Sequence, residues 1–246
     1  MLSSAHAQTD SILEEIVEKN YAIEPTARIS IRNTDGSIRI YGADIKEMKV
    51  QAIKKAYSQD RLNKISINVA VKPDEVSIDT ECPPKPKWGL SDRSGTVDYV
   101  IVVPWTCEIS RAELANGELQ LDGMRGSSVR AKLGNGRFFG HNCFTDLHVV
   151  VANGGLDVGY DWWETHKFSV DAEIVNGNAR VSIPVDAECH LQASSVNGRV
   201  ASDFTEKEDR RGADVAKIDM MVDGPSETEV KVRAVNGNVK IAEANL

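Results

Sequence analysis

The chain is short of leucine. Of its 246 residues only 12 are leucine, whereas valine and isoleucine together number 44. β-branched side chains pack well on a pleated surface and lose χ1 freedom in a helix, so this imbalance predicts an all-β fold. Basic residues are also in deficit. Lys and Arg total 29 against 37 Asp and Glu, a net charge of −8 and a pI of about 5.2. Binding nucleic acid or docking electrostatically on anionic lipid needs clustered cations, so the acidic balance argues against both partner classes. No run of about 18 apolar residues occurs, which excludes a membrane-spanning helix. A Gly-x-Ser-x-Gly elbow, a His-Glu-x-x-His pair and a phosphate-binding loop are all missing. Cysteine is sparse, at positions 82, 107, 143 and 189. Four cysteines fit an oxidising compartment but allow three pairings, and four buried free thiols fit equally well. What is present is 41% hydrophobic and 27% charged residues, the composition of a globular chain long enough for one large all-β domain or two smaller ones.

The N-terminus carries Ala5-His6-Ala7, the small-x-small pattern of a signal-peptidase site, with Gln8 as the expected mature end. Residues 1–8 are therefore expected to be a signal-peptide remnant and the protein to be exported. Over residues 9–27 a short helical cap is expected. Ser11 and Glu14 are spaced as a capping box, and Ile12, Leu13, Ile16 and Val17 would form its apolar stripe.

Repetition organises the remainder. Asn-Gly recurs at Asn116-Gly117, Asn135-Gly136, Asn153-Gly154, Asn176-Gly177, Asn197-Gly198 and Asn236-Gly237, with Asp35-Gly36 as a variant copy. Successive glycines from Gly117 are 19, 18, 23, 21 and 39 residues apart; the last gap is two units, or one unit with an insertion. Apolar residues alternate with polar ones on both sides, as in Leu119/Leu121, Leu156/Val158 and Val239/Ile241 after the glycine. Each unit reads as strand, bend, strand, bend, with Asn and Gly supplying the positive φ of a sharp turn. Two architectures share this pattern: an antiparallel meander or sandwich with type I′ hairpins, and a single-stranded parallel β-solenoid with Asn-Gly at one corner of every coil. The near-constant period of about 20 residues, and the amide ladder that stacked Asn side chains can form, favour the solenoid.

At these residues the chain resembles the bacterial DUF4097 family of adhesin-like β-solenoid domains, related to the head-GIN auto-transporter adhesin group. The resemblance rests on Ile29-Ser30-Ile31-Arg32-Asn33-Thr34-Asp35-Gly36-Ser37-Ile38-Arg39-Ile40, on Val102-Val103-Pro104 and on the Asn-Gly units. It implies an adhesin-like solenoid domain over residues 28–246 and brings no catalytic residues. The chain departs from the family in using Asn-Gly where Ser-Gly is common.

Less regular stretches interrupt the repeat. Residues 48–56, 65–71, 75–80 and 96–103 read as further strands. The proline-rich run from Cys82 to Gly89 cannot join a ladder, because proline lacks the N–H donor. The charged run 203–213 reads as a solvated loop. Among candidate sites, His141-x-Cys143 and Cys189-His190 do not by themselves give the three or four convergent ligands zinc requires, so no metal and no cofactor is expected. The outward acids Glu113, Glu118, Asp157, Asp171 and Glu173 are scattered, not paired as in a glycosidase. Tyr160, Trp162 and Trp163 lie in a bend between repeats and form the candidate binding cluster, for sugar rings or a protein partner; Trp88 and Trp105 are assigned to packing. The sequence thus points to a non-catalytic, exported interaction module or scaffold, periplasmic or on the cell surface, whose partner is an unknown protein or polysaccharide. The alternative is a carbohydrate-binding or carbohydrate-cleaving β-helix.

Overall fold

The structure is a computed structural model and describes residues 12–84, 94–204 and 216–244. In chain order its elements are β1 (Leu13–Ala22), β2 (Arg28–Ala43), β3 (Glu47–Ala56), α1 (Gln59–Asn63), β4 (Ser66–Lys72), β5 (Glu75–Glu81), β6 (Thr96–Pro104), β7 (Glu108–Asp122), β8 (Ser128–His141), β9 (Asp146–Gly159), β10 (Ser169–Ile183), β11 (Cys189–Asn197), β12 (Val200–Ser202), β13 (Ala216–Val222), β14 (Glu229–Asn236) and β15 (Val239–Glu243). All fifteen strands join one open, mixed sheet.

The long strands are bent, and burial shows where. In a straight strand, residues an odd number apart face opposite sides. In β7, Ala112 and Leu114 are buried before Asn116-Gly117, and Leu119 and Leu121 after it. Both sets can face one core only if the chain turns between them. β8, β9 and β10 change phase at the same place. Each unit is a first leg, an Asn-Gly corner, a second leg and a short return, such as residues 123–127 between β7 and β8. Successive units pair in parallel and in register through β2, β7, β8, β9 and β10. Their inward columns, including Ile31, Ala112, Ala131, Val149 and Ala172 on one leg and Ile38, Leu119, Phe138, Leu156 and Ala179 on the other, form the core.

Strand order departs from chain order at both ends. β5 pairs with the first leg of β2 and β6 with its second, both in parallel, so this pair adds a coil on the side of β2 away from β7. At the other end the last segment is intercalated. β14 lies between β10 and β11, and β15 lies between β10 and β12. Antiparallel strands close the stack: β4 on β5, β3 and then β1 on β6, and β13 on β11. The sheet is therefore not the purely parallel one expected.

The N-terminal helix is a second correction, because Leu13–Ala22 is strand β1. Its spacing fits a helical stripe, but its charges fit an edge. Lys54 lies 2.8 Å from Glu15, Lys55 3.5 Å from Glu14, and Gln51 donates to Glu18 at 2.6 Å. Pairing with the open side of β3 supplies ten residues of ladder, which outweighs a weak local preference. The expected remnant 1–8 lies outside the described residues, as do Trp88 and nearly all of the charged run 203–213.

Candidate functional site

The corners form a continuous polar ladder. Asn116 Nδ2 donates to Asp35 Oδ1 at 3.0 Å, Asn135 to Asn116 at 2.8 Å, Asn153 to Asn135 at 3.0 Å and Asn176 to Asn153 at 2.9 Å. It continues through the intercalated coil: Asn236 donates to Asn176 and Asn197 to Asn236, each at 2.8 Å. Every amide faces the same way, and the chain of donors ends on the Asp35 carboxylate. The adjacent glycines are required by space. Gly117, Gly136, Gly154, Gly177 and Gly237 have φ between 133° and 152°, and a Cβ on any of them would overlap the carbonyl oxygen of the stacked glycine before it. Gly36, with φ 122°, would meet Val97 in the same way, and Gly198 would meet Gly237.

The return after β9 carries the aromatic residues, and the three candidates divide. Tyr160 is buried and its hydroxyl donates to the Cys143 carbonyl at 3.0 Å. Trp163 is half-buried; its indole donates to the Glu188 carbonyl at 3.2 Å and its ring packs 5.0 Å from Phe168. Trp162 stays 47% exposed, its ring 5.7 Å from Phe144 and its indole 3.3 Å from Glu164. Glu164 also accepts from Arg125 at 2.7 Å, and the Arg125 guanidinium lies 5.4 Å from the centres of both the Trp105 and Phe144 rings. Trp105 is 40% exposed, so it is a surface ring and not only a packing residue. Arg125 and Trp105 escape a reading of local clusters. The signal that finds them is the repeat period itself: positions 105, 125 and 144 fall in one column of returns, and Arg125 N donates to the Trp105 carbonyl at 2.7 Å.

Several titratable groups elsewhere are paired across strands. Glu118 meets Arg39 at 3.0 Å, Asp171 meets His148 at 3.2 Å and Glu173 meets Arg233 at 3.5 Å. His141 lies 3.4 Å from Asp122 and 3.0 Å from Asp161. Burial lowers its pKa, but the Asp161 hydrogen bond and the charges of both carboxylates outweigh this and hold it above the usual histidine value. Burial pushes the Cys107 thiol up to about 11 and those of Cys143 and Cys189 up to about 12, so these three are protonated at neutral pH and poor nucleophiles. Among the described residues no three His, Cys, Asp or Glu side chains converge as a metal site. No helix among them is long and apolar enough to cross a membrane.

A family model described as Toastrack DUF4097 matches residues 28–242. Among solved structures, a "putative cell adhesion protein" from Clostridium sporogenes is similar to this chain at 18% identity and a TM-score of 0.53, covering 93% of this chain and 100% of its own. A "putative adhesin" from Bacteroides fragilis aligns at 10% identity and a TM-score of 0.32, covering 92% of this chain and 97% of its own. The first likeness extends the fold to a solved relative. No curated protein matches the chain.

Proposed function

The chain belongs to the Toastrack DUF4097 family, and from that premise we propose that it is an exported, non-catalytic, adhesin-like β-solenoid, an interaction module or scaffold of the cell envelope. The observation that carries this reading is the in-register stack of corners. Seven ladder positions, Asp35 to Asn197, hold neighbouring legs side by side and present their outward residues as two continuous polar faces. A rigid extended face suits an extended partner, because little conformational freedom is lost on binding. The C. sporogenes relative, described as a "putative cell adhesion protein", supports the same direction. In this reading residues 28–246 are the adhesin-like domain and residues 9–27 its cap. Tyr160, Trp162 and Trp163 are its aromatic corner, with Trp162 making the contact and the other two supporting it.

A second reading, a carbohydrate-binding or carbohydrate-cleaving β-helix, is favoured by one observation: Trp105 is exposed against Arg125, and Trp162 is exposed and donates to Glu164, which also accepts from Arg125. The test of the main reading is adherence. A deletion strain is expected to bind fewer host or matrix surfaces, or fewer of its own cells, and purified protein is expected to compete with wild-type cells. Unchanged adherence and no competition would overturn it.

A further inference from the structure

The outward face of the second legs has a gap where a side chain would be expected. In one register row Arg137 on β8 opposes Gly155 on β9, which opposes Asn178 on β10. In the next row Phe139, Asp157, Arg180 and Lys240 stand on four neighbouring strands. Because Gly155 has no side chain, the surface sinks there into a groove of about 690 Å³ running across the strands. That volume lies within the range of sites that hold small ligands or oligomer segments.

The lining has a definite chemistry. Arg137 is exposed and makes no ion pair or hydrogen bond among the described residues. Arg180 spends only its Nε, on Ser182 Oγ at 3.2 Å. Lys240 is held at the rim by Asp203. Three cations thus gather against two carboxylates, Asp157 and Asp203, on a chain whose net charge is −8. Phe139 is half-buried and offers an apolar ring at one end. Burial holds the Asp157 carboxyl above its usual pKa, with Arg180 acting against the rise.

We propose that this groove binds an acidic polysaccharide, a chain of sugar rings bearing carboxylates. Arg137 and Arg180 are two strands apart and offset by two residues along the strands, about 12 Å between Cα atoms at the usual strand spacing and rise. Guanidinium groups at that separation suit carboxylates repeated along an extended polymer, and each can take one with two parallel hydrogen bonds. Phe139 can stack on the apolar face of a sugar ring. Asp157, between the cations, can accept from ring hydroxyls, donors that a polyglutamate chain does not carry. The inference deepens the interaction-module reading and rests on it.

The test is calorimetric titration of the purified protein with hexagalacturonate, its methyl ester and a hexaglutamate peptide. The acidic sugar is expected to bind, with affinity falling as salt rises, and the ester and peptide at least tenfold more weakly. Arg137→Ala and Arg180→Ala are each expected to weaken the sugar about tenfold, since a charged hydrogen bond is lost. Gly155→Gln fills the groove at a position where a Cβ meets nothing nearer than Arg137 Cγ at 3.7 Å, so it should block binding without lowering Tm. Absence of hexagalacturonate binding, equal binding of the ester or peptide, or full binding by the well-folded Gly155→Gln variant would overturn the assignment. The two readings fail separately. A protein that binds the sugar but is confined to the cytoplasm would keep the groove and lose the envelope role; an adhesive surface protein that ignores the sugar would do the reverse.

Discussion

Two neighbouring glycines give the sharpest test of the stacked corner. Gly154 has φ 133°, and a Cβ there would overlap the Gly136 carbonyl oxygen. Gly155 follows it, is absent from the positive-φ positions, and has 3.7 Å of clearance. Gly154→Ala must hold an L-residue in glycine-only backbone space, about 1–3 kcal/mol. It must also push back a paired strand, for roughly another 1–3 kcal/mol. The sum, about 2–6 kcal/mol, is a large part of the 5–15 kcal/mol typical of a folded domain. For a chain of this length it corresponds to a fall in Tm on the order of 5–20 °C. Gly155→Ala should change stability by less than about 1 kcal/mol, and could raise it by restricting the unfolded chain. The assay is urea and thermal unfolding of both variants followed by far-UV circular dichroism. Equal effects, or a Gly154→Ala protein melting within a degree or two of wild type, would refute the corner geometry.

Three further outcomes are expected. Asn153→Ala removes two ladder bonds, to Asn135 and from Asn176, and should cost about 1–2 kcal/mol at this exposed site by chemical denaturation; no loss would mean that the amides are solvent-equivalent. The Cys143 and Cys189 thiols, pushed up to about 12, should resist alkylation at pH 8 until denaturant is added. A raised thiol pKa means that the native state holds its protons longer than the unfolded chain. The stabilising contribution of these groups is therefore complete below pH 9 and declines as pH rises from about 9 towards 12, which a pH series of melting curves would register. The intercalated coil predicts that Ser169→Cys with Glu229→Cys forms a disulfide, because these residues are directly opposed on β10 and β14. Ser169→Cys with His190→Cys should not, because β14 separates them and a gap of about two strand spacings exceeds disulfide reach. The opposite pattern would restore chain-order stacking.

The repeat was legible because its cause is local. A glycine that must face a stacked carbonyl, an asparagine that must bond its neighbour and alternating apolar residues are all written at fixed spacing. The order of the coils was not, since any Asn-Gly unit can stack on any other with the same contacts. The 39-residue step between Gly198 and Gly237 left the insertion visible but not its direction. The coil made by β5 and β6 has no Asn-Gly at all. β1 reads as a helix because Ile12, Leu13, Ile16 and Val17 are spaced as a helical stripe, although Ile12 and Ile16 are exposed in the structure; the complementary Glu14-Glu15 and Lys54-Lys55 runs are the available clue. The sequence places Tyr160, Trp162 and Trp163 together in one bend, and they lie together in the connection between β9 and β10. Which ring stays exposed depended on partners such as Cys143 and Glu188, contributed by other returns.

The envelope role is tested most directly by where the protein sits. Cells of the native host would be fractionated, and intact cells treated with protease, with the mature N-terminus sequenced from the recovered protein. The account predicts export, a mature end at Gln8, and either cleavage on intact cells or a protected periplasmic pool. A full-length chain recovered only from the cytoplasm, untouched by protease until the cells are broken, would contradict it.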